Sequence, residues 1–524
     1  MIKKYLNISL LTLTLVSFVG FSQTGPGGVG STDGTSNLAL WLNADKETVN
    51  TTWSDQSGNG FDFTGVGTTF NSATANGYNS FEFTPGATHA MPQYFERAYE
   101  ADLNTAEFSV FTASKVTAST ATKTLLVSED WHDISGTYKP GGFNFNVTDT
   151  AGGDFWSAVY GAQPTDALYE GYWINTVDSW AGQFFQHNAV GSNSFVNGEL
   201  YFDTSTDANL ANDTYTANAG QPMRVGANFA WDSAAGASIY QTFFEGEVGE
   251  VIVYKTAINA AQRVIIENYL AAKYGYILDS QDAAEVYDLY EHDNAANGNY
   301  DHNVAGIGMH DAAADTHLES QGTGIVKIGA AITAVENFLF WGEETKDATY
   351  DFSTSAQGTE RLNSKWRVDD RYGLGAISTV SIAVADLDAA VTGDVFRLVV
   401  SATDDFAVST TYPMTLSGGV YSVDNVDLVD DNYFTFEGVD TSSVQDISDS
   451  NSIKLIDNTD HITINSNDVI KNVQFYNMLG QQLISKTVNN TDLNLPVKLN
   501  QGQVILVKIT LENGTVMTDK LIKK

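Results

Sequence analysis

The chain is cut into short apolar segments by clusters of Gly, Asn, Asp and Ser, and that pattern constrains its fold more than anything else in it. The segments include Leu38–Leu42, Ser80–Phe83, Phe108–Lys115, Thr124–Ser128, Gly142–Val147, Phe184–His187 and Phe243–Tyr254. They continue as Ile325–Ile328, Phe338–Trp341, Ser364–Val368, Val380–Val384, Phe396–Ser401 and Tyr433–Phe436. Short runs rich in β-branched and aromatic residues, separated by turn formers, read as strands. So many in succession predict an all-β chain of the sandwich or jelly-roll kind. With no cysteine among 524 residues, there is no disulfide framework and no thiolate metal site, so burial alone must hold the strands together. One segment breaks the pattern. Ala260–Tyr274 has helical spacing, with Asn259 as N-cap, Gln262 completing a capping box and Gly275 as terminator. Ile265, Ile266, Tyr269, Leu270 and Ala272 are its expected inward face.

Both ends carry address-like features. Lys3 and Lys4 precede an apolar run, Ile8 to Phe21, of signal-peptide length, and Gly20 and Ser22 suit a signal peptidase. The expected mature start is Gln23, with residues 1–22 removed. No later run approaches ~18 apolar residues, so no membrane span is expected in the mature protein. From Ser452 to Lys524 the alternation returns in Ile453/Leu455, Ile462/Ile464, Val473/Phe475 and Val504/Leu506/Val507/Ile509, ending in Lys520–Lys524. The block VQFYNMLGQQL followed by LNLPVKLNQGQVILVKITLENGTVMTDKLIKK resembles the type A sorting domain of the Bacteroidetes type IX secretion system. That resemblance implies a small β-sandwich, with the type IX translocon and a cell-surface sortase as partners of residues 452–524. It also implies export across the outer membrane, to the cell surface or the medium.

The net charge of −38 is unevenly spread: the leader and the C-terminal segment each carry +2, leaving −42 between them. So acidic a body repels nucleic acid and anionic membrane surfaces. Residues 23–35, TGPGGVGSTDGT after Gln23, read as a Gly-rich flexible linker, and residues 438–451 as a second, polar one.

Between the linkers two family resemblances emerge. LALWLNAD with TTWSDQSGNGFDFTG (Leu38–Gly65), and FFEGEVGEVIVYKTAINAAQRVIIENYLAAKYGY (Phe243–Tyr276), resemble the opening and closing blocks of laminin-G-like jelly rolls of the concanavalin A-like superfamily. This bounds a domain at 36–278 and implies glycan or protein binding, with Ca²⁺ in some members. NVAGIGMHD (Asn303–Asp311), FLFWGEE (Phe338–Glu344) and RLNSKWRVD (Arg361–Asp369) resemble a β-rich module that follows such jelly rolls in Bacteroidetes surface proteins. It is placed at 282–437 and brings no assigned chemistry.

Four groups of residues invite a functional reading. Glu245-Gly246-Glu247-Val248-Gly249-Glu250 has the spacing of the carboxylates that family 16 glycoside hydrolases carry on a bulged strand, Glu247 standing where their central Asp is. Without a bulge, Glu245 and Glu247 would face one side of the sheet and Glu250 the other. Asp55 and Asn59, in DQSGNG, offer close oxygen donors for Ca²⁺, the one cofactor considered; an Asx-turn is the favoured alternative. His292, His302, His310 and His317 crowd beside Asp293, Asp301, Asp311 and Asp315, without the spacing of a known zinc motif. Trp131, Asp133, Tyr172, Trp173, Trp231 and Asp232 combine rings and hydrogen-bonding groups in turn-rich stretches, as a sugar platform would. No GxSxG, P-loop or dinucleotide fingerprint occurs.

Together these features predict an exported, non-catalytic protein that binds a glycan or surface polymer in an adhesin-like role. A polysaccharide hydrolase built on Glu245, Glu247 and Glu250, or a structural surface protein without small ligand, are the alternatives.

Overall fold

The computed structural model describes residues 23–84, 92–117, 123–129, 142–148, 154–160, 167–174, 178–203, 217–218, 220–232, 237–278, 288–346, 348–371, 377–391, 393–439, 454–457, 461–496, 503–512, 514 and 516–522. These form two compact units, 1–390 with 397–437, and 391–396 with 438–524.

The first unit contains the predicted sandwich. One eight-stranded antiparallel sheet centres on Phe108–Val116 and Gly246–Tyr254, with Leu38–Asn43 and Tyr78–Phe83 pairing the latter. A second eight-stranded sheet contains Phe63–Gly67, Gln93–Arg97, Lys123–Glu129 and Gly142–Thr148. Their facing side chains, among them Trp53, Phe63, Phe81, Phe95, Phe108, Phe143, Val248, Val251 and Val253, make one core. Trp53, Phe70, Phe81 and Phe95 interlock there, with Phe70 stacked on Phe95 at 4.0 Å between ring centroids.

The central strands of the first sheet are buried on both faces. Phe108–Val116 and Leu38–Asn43 lack the usual in–out alternation because their outer face is covered by helix α1 (Ala260–Tyr274). The helix forms where expected: the Asn259 side chain accepts the Gln262 N–H, Gln262 answers at the cap, and Gly275 ends it at φ 68°. It has no solvent face, however. Leu38, Trp41, Phe111, Ile252 and Tyr254 of the sheet pack on one side, and Val304, Phe338 and Phe340 of the following module on the other. Its polar groups are therefore paired: Arg263 with Glu267 at 2.6 Å, and the Asn268 oxygen with the N–H groups of Leu289 and Tyr290. The two regions bounded separately by sequence thus share one hydrophobic layer. The module contributes a nine-stranded sheet, including His302–Met309, Asn337–Glu343 and Trp366–Arg371, and a five-stranded one, including Val326–Gly329 and Val420–Asp427.

The Gly-rich stretch after Gln23 is not a flexible linker; it is a buried strap. Gln23 O accepts the N–H groups of Gln321 and Gly322, Gly28 O accepts from His317 Nε2, and Val29 O accepts from the Tyr254 hydroxyl. Its glycines serve close approach rather than mobility. Gly28 lies at φ +92°, and a Cβ there would meet Ser320 Oγ at 1.5 Å.

In the second unit five strands form one sheet, built on the long strands His461–Asn477 and Gln482–Pro496. Register shifts near Asn465–Asn472 bend these strands, so both ends close over Ile462, Ile464, Val473, Phe475, Val507 and Ile509. Val504–Leu511 alternates strictly between buried and part-exposed positions, as its sequence does. Among the described residues, no helix is long and apolar enough to cross a membrane.

Candidate functional site: a polar cleft over helix α1

The closing strand, Gly246–Tyr254, holds Glu247 and Glu250; Glu245 lies just before it. Register with Phe108–Val116 slips between Val248 and Glu250, so Gly249 is the extra residue of a bulge. The bulge corrects the expected facing. Val248, Val251 and Val253 enter the sandwich core, while Glu250, Ile252 and Tyr254 point to the helix side. Glycine is required at the slip, because a Cβ on Gly249 would lie 2.3 Å from the Tyr274 ring.

Glu247 and Glu250 do not form a substrate-facing pair. Glu250 is fully buried; one oxygen accepts from Lys273, Tyr269 and Tyr274, the other from Trp41 Nε1 at 2.8 Å. Four donors on one carboxylate make an anchor for α1. Glu247 accepts from Ser80 Oγ and pairs with Lys115 at 3.1 Å.

The Ca²⁺ reading of Asp55 and Asn59 is corrected as well. Asp55 Oδ1 accepts the N–H groups of Trp41 and Ser57; Oδ2 accepts the Ser57 hydroxyl and the Phe61 N–H. Asn59 turns its amide nitrogen to Leu38 O and Ala39 O. The carboxylate's acceptor capacity is filled by the turn itself, which is the Asx-type arrangement.

The four crowded histidines do not converge. His317 donates to Gly28 O, His302 Nδ1 meets the Tyr78 hydroxyl at 2.6 Å, His292 Nε2 donates to Val368 O, and His310 lies beside Asp311. Of the predicted sugar platform, Trp131 and Asp133 lie outside the described residues. Tyr172 and Trp173 fall on the strand Ala167–Ile174, and Trp231 and Asp232 on Ala227–Asp232. Only the backbone of these four is described.

A cavity of about 180 Å³ opens instead where the first sheet, α1 and the module meet. Its floor is Asn43, whose Oδ1 accepts from Lys273 at 3.0 Å while its buried Nδ2 has no protein partner. Asp45 pairs with Lys346 at 2.7 Å and accepts the Asn79 N–H. Burial alone would raise the Asp45 carboxyl, but the Lys346 and Asn79 hydrogen bonds and the Lys273 charge hold it below the usual range. Lys346 Nζ also sits 4.5 Å from the centroid of the Tyr78 ring.

On the module side, the Tyr78 hydroxyl continues through His302 to Asp301, whose carboxylate lies 3.3 Å from His302 Nε2 and accepts from Asn76. Asn303 and the Tyr350 hydroxyl both donate to one oxygen of the buried Glu343, whose carboxyl is pushed up by burial. None of this was legible from local motifs. The cleft assembles residues 43, 45, 46, 78, 269, 273, 301–303, 323, 346, 348 and 350. The one available signal was the block LALWLNAD, which ends in the cleft residues Asn43 and Asp45 after an apolar run.

Comparison with known proteins adds little chemistry. A family model described as a domain of unknown function, DUF8202, matches residues 262–433, starting inside α1. A second, DUF8694, also of unknown function, matches residues 442–523. No curated protein matches the chain. Among solved structures, domain 4 of AbnA, a GH43 extracellular arabinanase from Geobacillus stearothermophilus in complex with arabinotriose, has 18% identity and a TM-score of 0.31. It covers 44% of this chain and 97% of its own. The CBM40 of the Ruminococcus gnavus IT-sialidase, bound to α2,3 sialyllactose, has 14% identity and a TM-score of 0.25, covering 35% of this chain and 92% of its own. A Trypanosoma rangeli sialidase has 14% identity and a TM-score of 0.32 over 47% of this chain and 35% of its own. Scores this low carry no functional inference, and the β-sandwich assignment stands on the sheets themselves.

Proposed function

We propose that the chain is an exported, non-catalytic binding protein that takes a glycan or surface polymer in the cleft over α1. The supporting observation is the buried, unpartnered Asn43 Nδ2 on the floor of a cavity flanked by Tyr78 and Tyr350. A polyhydroxylated ligand offers hydroxyls that can pair with the polar side chains lining this cleft. Enclosure of Glu250 by four donors favours binding over hydrolysis by Glu245, Glu247 and Glu250. Trp131, Asp133, Tyr172, Trp173, Trp231 and Asp232 are proposed, from the sequence reading, as a second contact region. Adhesion is the biological role that fits this reading.

The export route is proposed from the C-terminal resemblance. Residues 452–524 address the chain to the type IX translocon and are removed by the sortase at the cell surface. A glycan array and a surface-adhesion assay on the exported protein test the binding reading, and absence of both activities would overturn it. Fractionation of cells producing a chain truncated at Asn451 tests the route: the truncated protein is expected to stay in the periplasm, and its appearance in the medium would overturn it.

A further inference from the structure

We propose that His292, Asp369 and Asp430 hold a divalent transition-metal ion in the module, apart from the residues that line the cleft. One ring nitrogen of His292 and one carboxylate oxygen from each of Asp369 and Asp430 lie within 4.8 Å of one another. The three come from distant places in the chain. His292 follows the stretch that α1's Asn268 pins through Leu289 and Tyr290, Asp369 sits on Trp366–Arg371, and Asp430 lies in the turn before Tyr433–Val439.

The second observation is the state of the imidazole. His292 is buried, and its Nε2 lies 2.9 Å from Val368 O. A carbonyl only accepts, so the hydrogen must be on Nε2, which leaves the lone pair on Nδ1. Nδ1 is buried without a protein partner. A buried acceptor with nothing to accept is costly, whereas a ring nitrogen whose opposite N–H is fixed by a backbone carbonyl is how a metal-bound histidine is normally oriented. The carboxylates retain capacity: Asp369 accepts the Glu291 N–H on one oxygen and Arg371 on the other, leaving a lone pair on each. Asp430 is exposed and accepts the Asp370 N–H at 3.1 Å. Burial of two ligands with one exposed gives the site an entry path.

A nitrogen and two carboxylate oxygens suit Zn²⁺ or Mn²⁺ better than Ca²⁺, which prefers an all-oxygen shell. Solvent would complete the coordination, because the three residues supply only part of it.

Titration calorimetry of the full chain with Zn²⁺ and with Mn²⁺, after chelator treatment, tests the proposal. Co²⁺ would serve as the spectroscopic probe of a nitrogen ligand. One equivalent is expected to bind. Asp430→Ala, at an exposed position, should weaken affinity about tenfold or more, and His292→Gln should abolish the nitrogen-dependent Co²⁺ bands. Should His292→Gln fail to fold, Asp430→Ala decides alone. No binding by the wild-type chain, or affinity unchanged in Asp430→Ala, would overturn the site.

Discussion

Lys273 of α1 donates to Glu250 of the closing strand in a place neither residue shares with water, and Tyr269, Tyr274 and Trp41 complete the carboxylate's hydrogen bonding. Burial draws the Lys273 ammonium toward deprotonation, and the facing carboxylate opposes that shift. Such a pair adds little relative to a well-packed apolar substitute, yet removing one partner strands the other charge. Glu250→Ala is therefore expected to lose about 3–5 kcal/mol, seen as a drop in the urea midpoint, while Glu250→Gln with Lys273→Met recovers much of it. A Glu250→Ala chain of unchanged stability would show that the carboxylate is not the helix anchor.

The sequence made the strands, the helix and its caps legible because their signals are local: period-two alternation, Asn259 with Gln262, and Gly275. Burial of the helix on all sides was not, since its outer cover, Phe338 and Phe340, lies far downstream. The strap shows the same limit. Glycine at 27 and 28 signals flexibility when only neighbours in sequence are considered, and tight packing once Ile265, Tyr269 and Ser320 are in place. The cleft escaped notice for a further reason. Asn43, Tyr78, His302 and Lys346 are ordinary strand and turn residues until three elements meet.

The strap gives a sharp contrast between glycines. Gly28→Ala places a Cβ against Ser320 and at a φ that L-residues avoid, so a loss of about 2–4 kcal/mol is expected. Gly60→Ala, at φ +74° with nothing within 4 Å, should cost only about 1–2 kcal/mol from backbone strain. Chemical denaturation of both variants checks this; equal costs would return the strap to the status of a linker.

Binding in the cleft should depend on Lys346, which ties Asp45 to Tyr78 and borders the cavity. Lys346→Ala is expected to weaken any glycan identified on the array about tenfold, equivalent to ~1.4 kcal/mol. Thermal stability should fall as well, because the nearly buried Asp45 carboxylate loses its partner, so affinity is compared at a temperature where both chains are folded. Affinity unaffected by Lys346→Ala and also by Tyr350→Phe would move the site elsewhere on the sandwich.

His317 makes the strap acid-sensitive. Burial depresses its pKa from 6.5 to about 4, and its Nε2–H donates to Gly28 O. Above pH 6.5 the ring is neutral in both folded and unfolded chains and adds no pH dependence. Between about 6.5 and about 4 the unfolded chain takes up a proton that the folded chain refuses, so stability falls as pH falls, by at most about 3 kcal/mol. Below about 4 both states are protonated and the loss stops growing. His187, also held near 4 by burial, adds in the same direction. Asp288 and Asp293, raised to about 6 and about 7 chiefly by burial, act oppositely, because the folded chain binds their protons first on acidification. The wild-type profile alone therefore mixes opposing slopes. The difference between wild type and His317→Gln, measured with chelator present, isolates the ring: it should be flat above pH 6.5 and shift toward the variant by up to about 3 kcal/mol on going down to pH 4. A pH-independent difference would mean that the ring titrates alike in the folded and unfolded chains and is not buried against the strap.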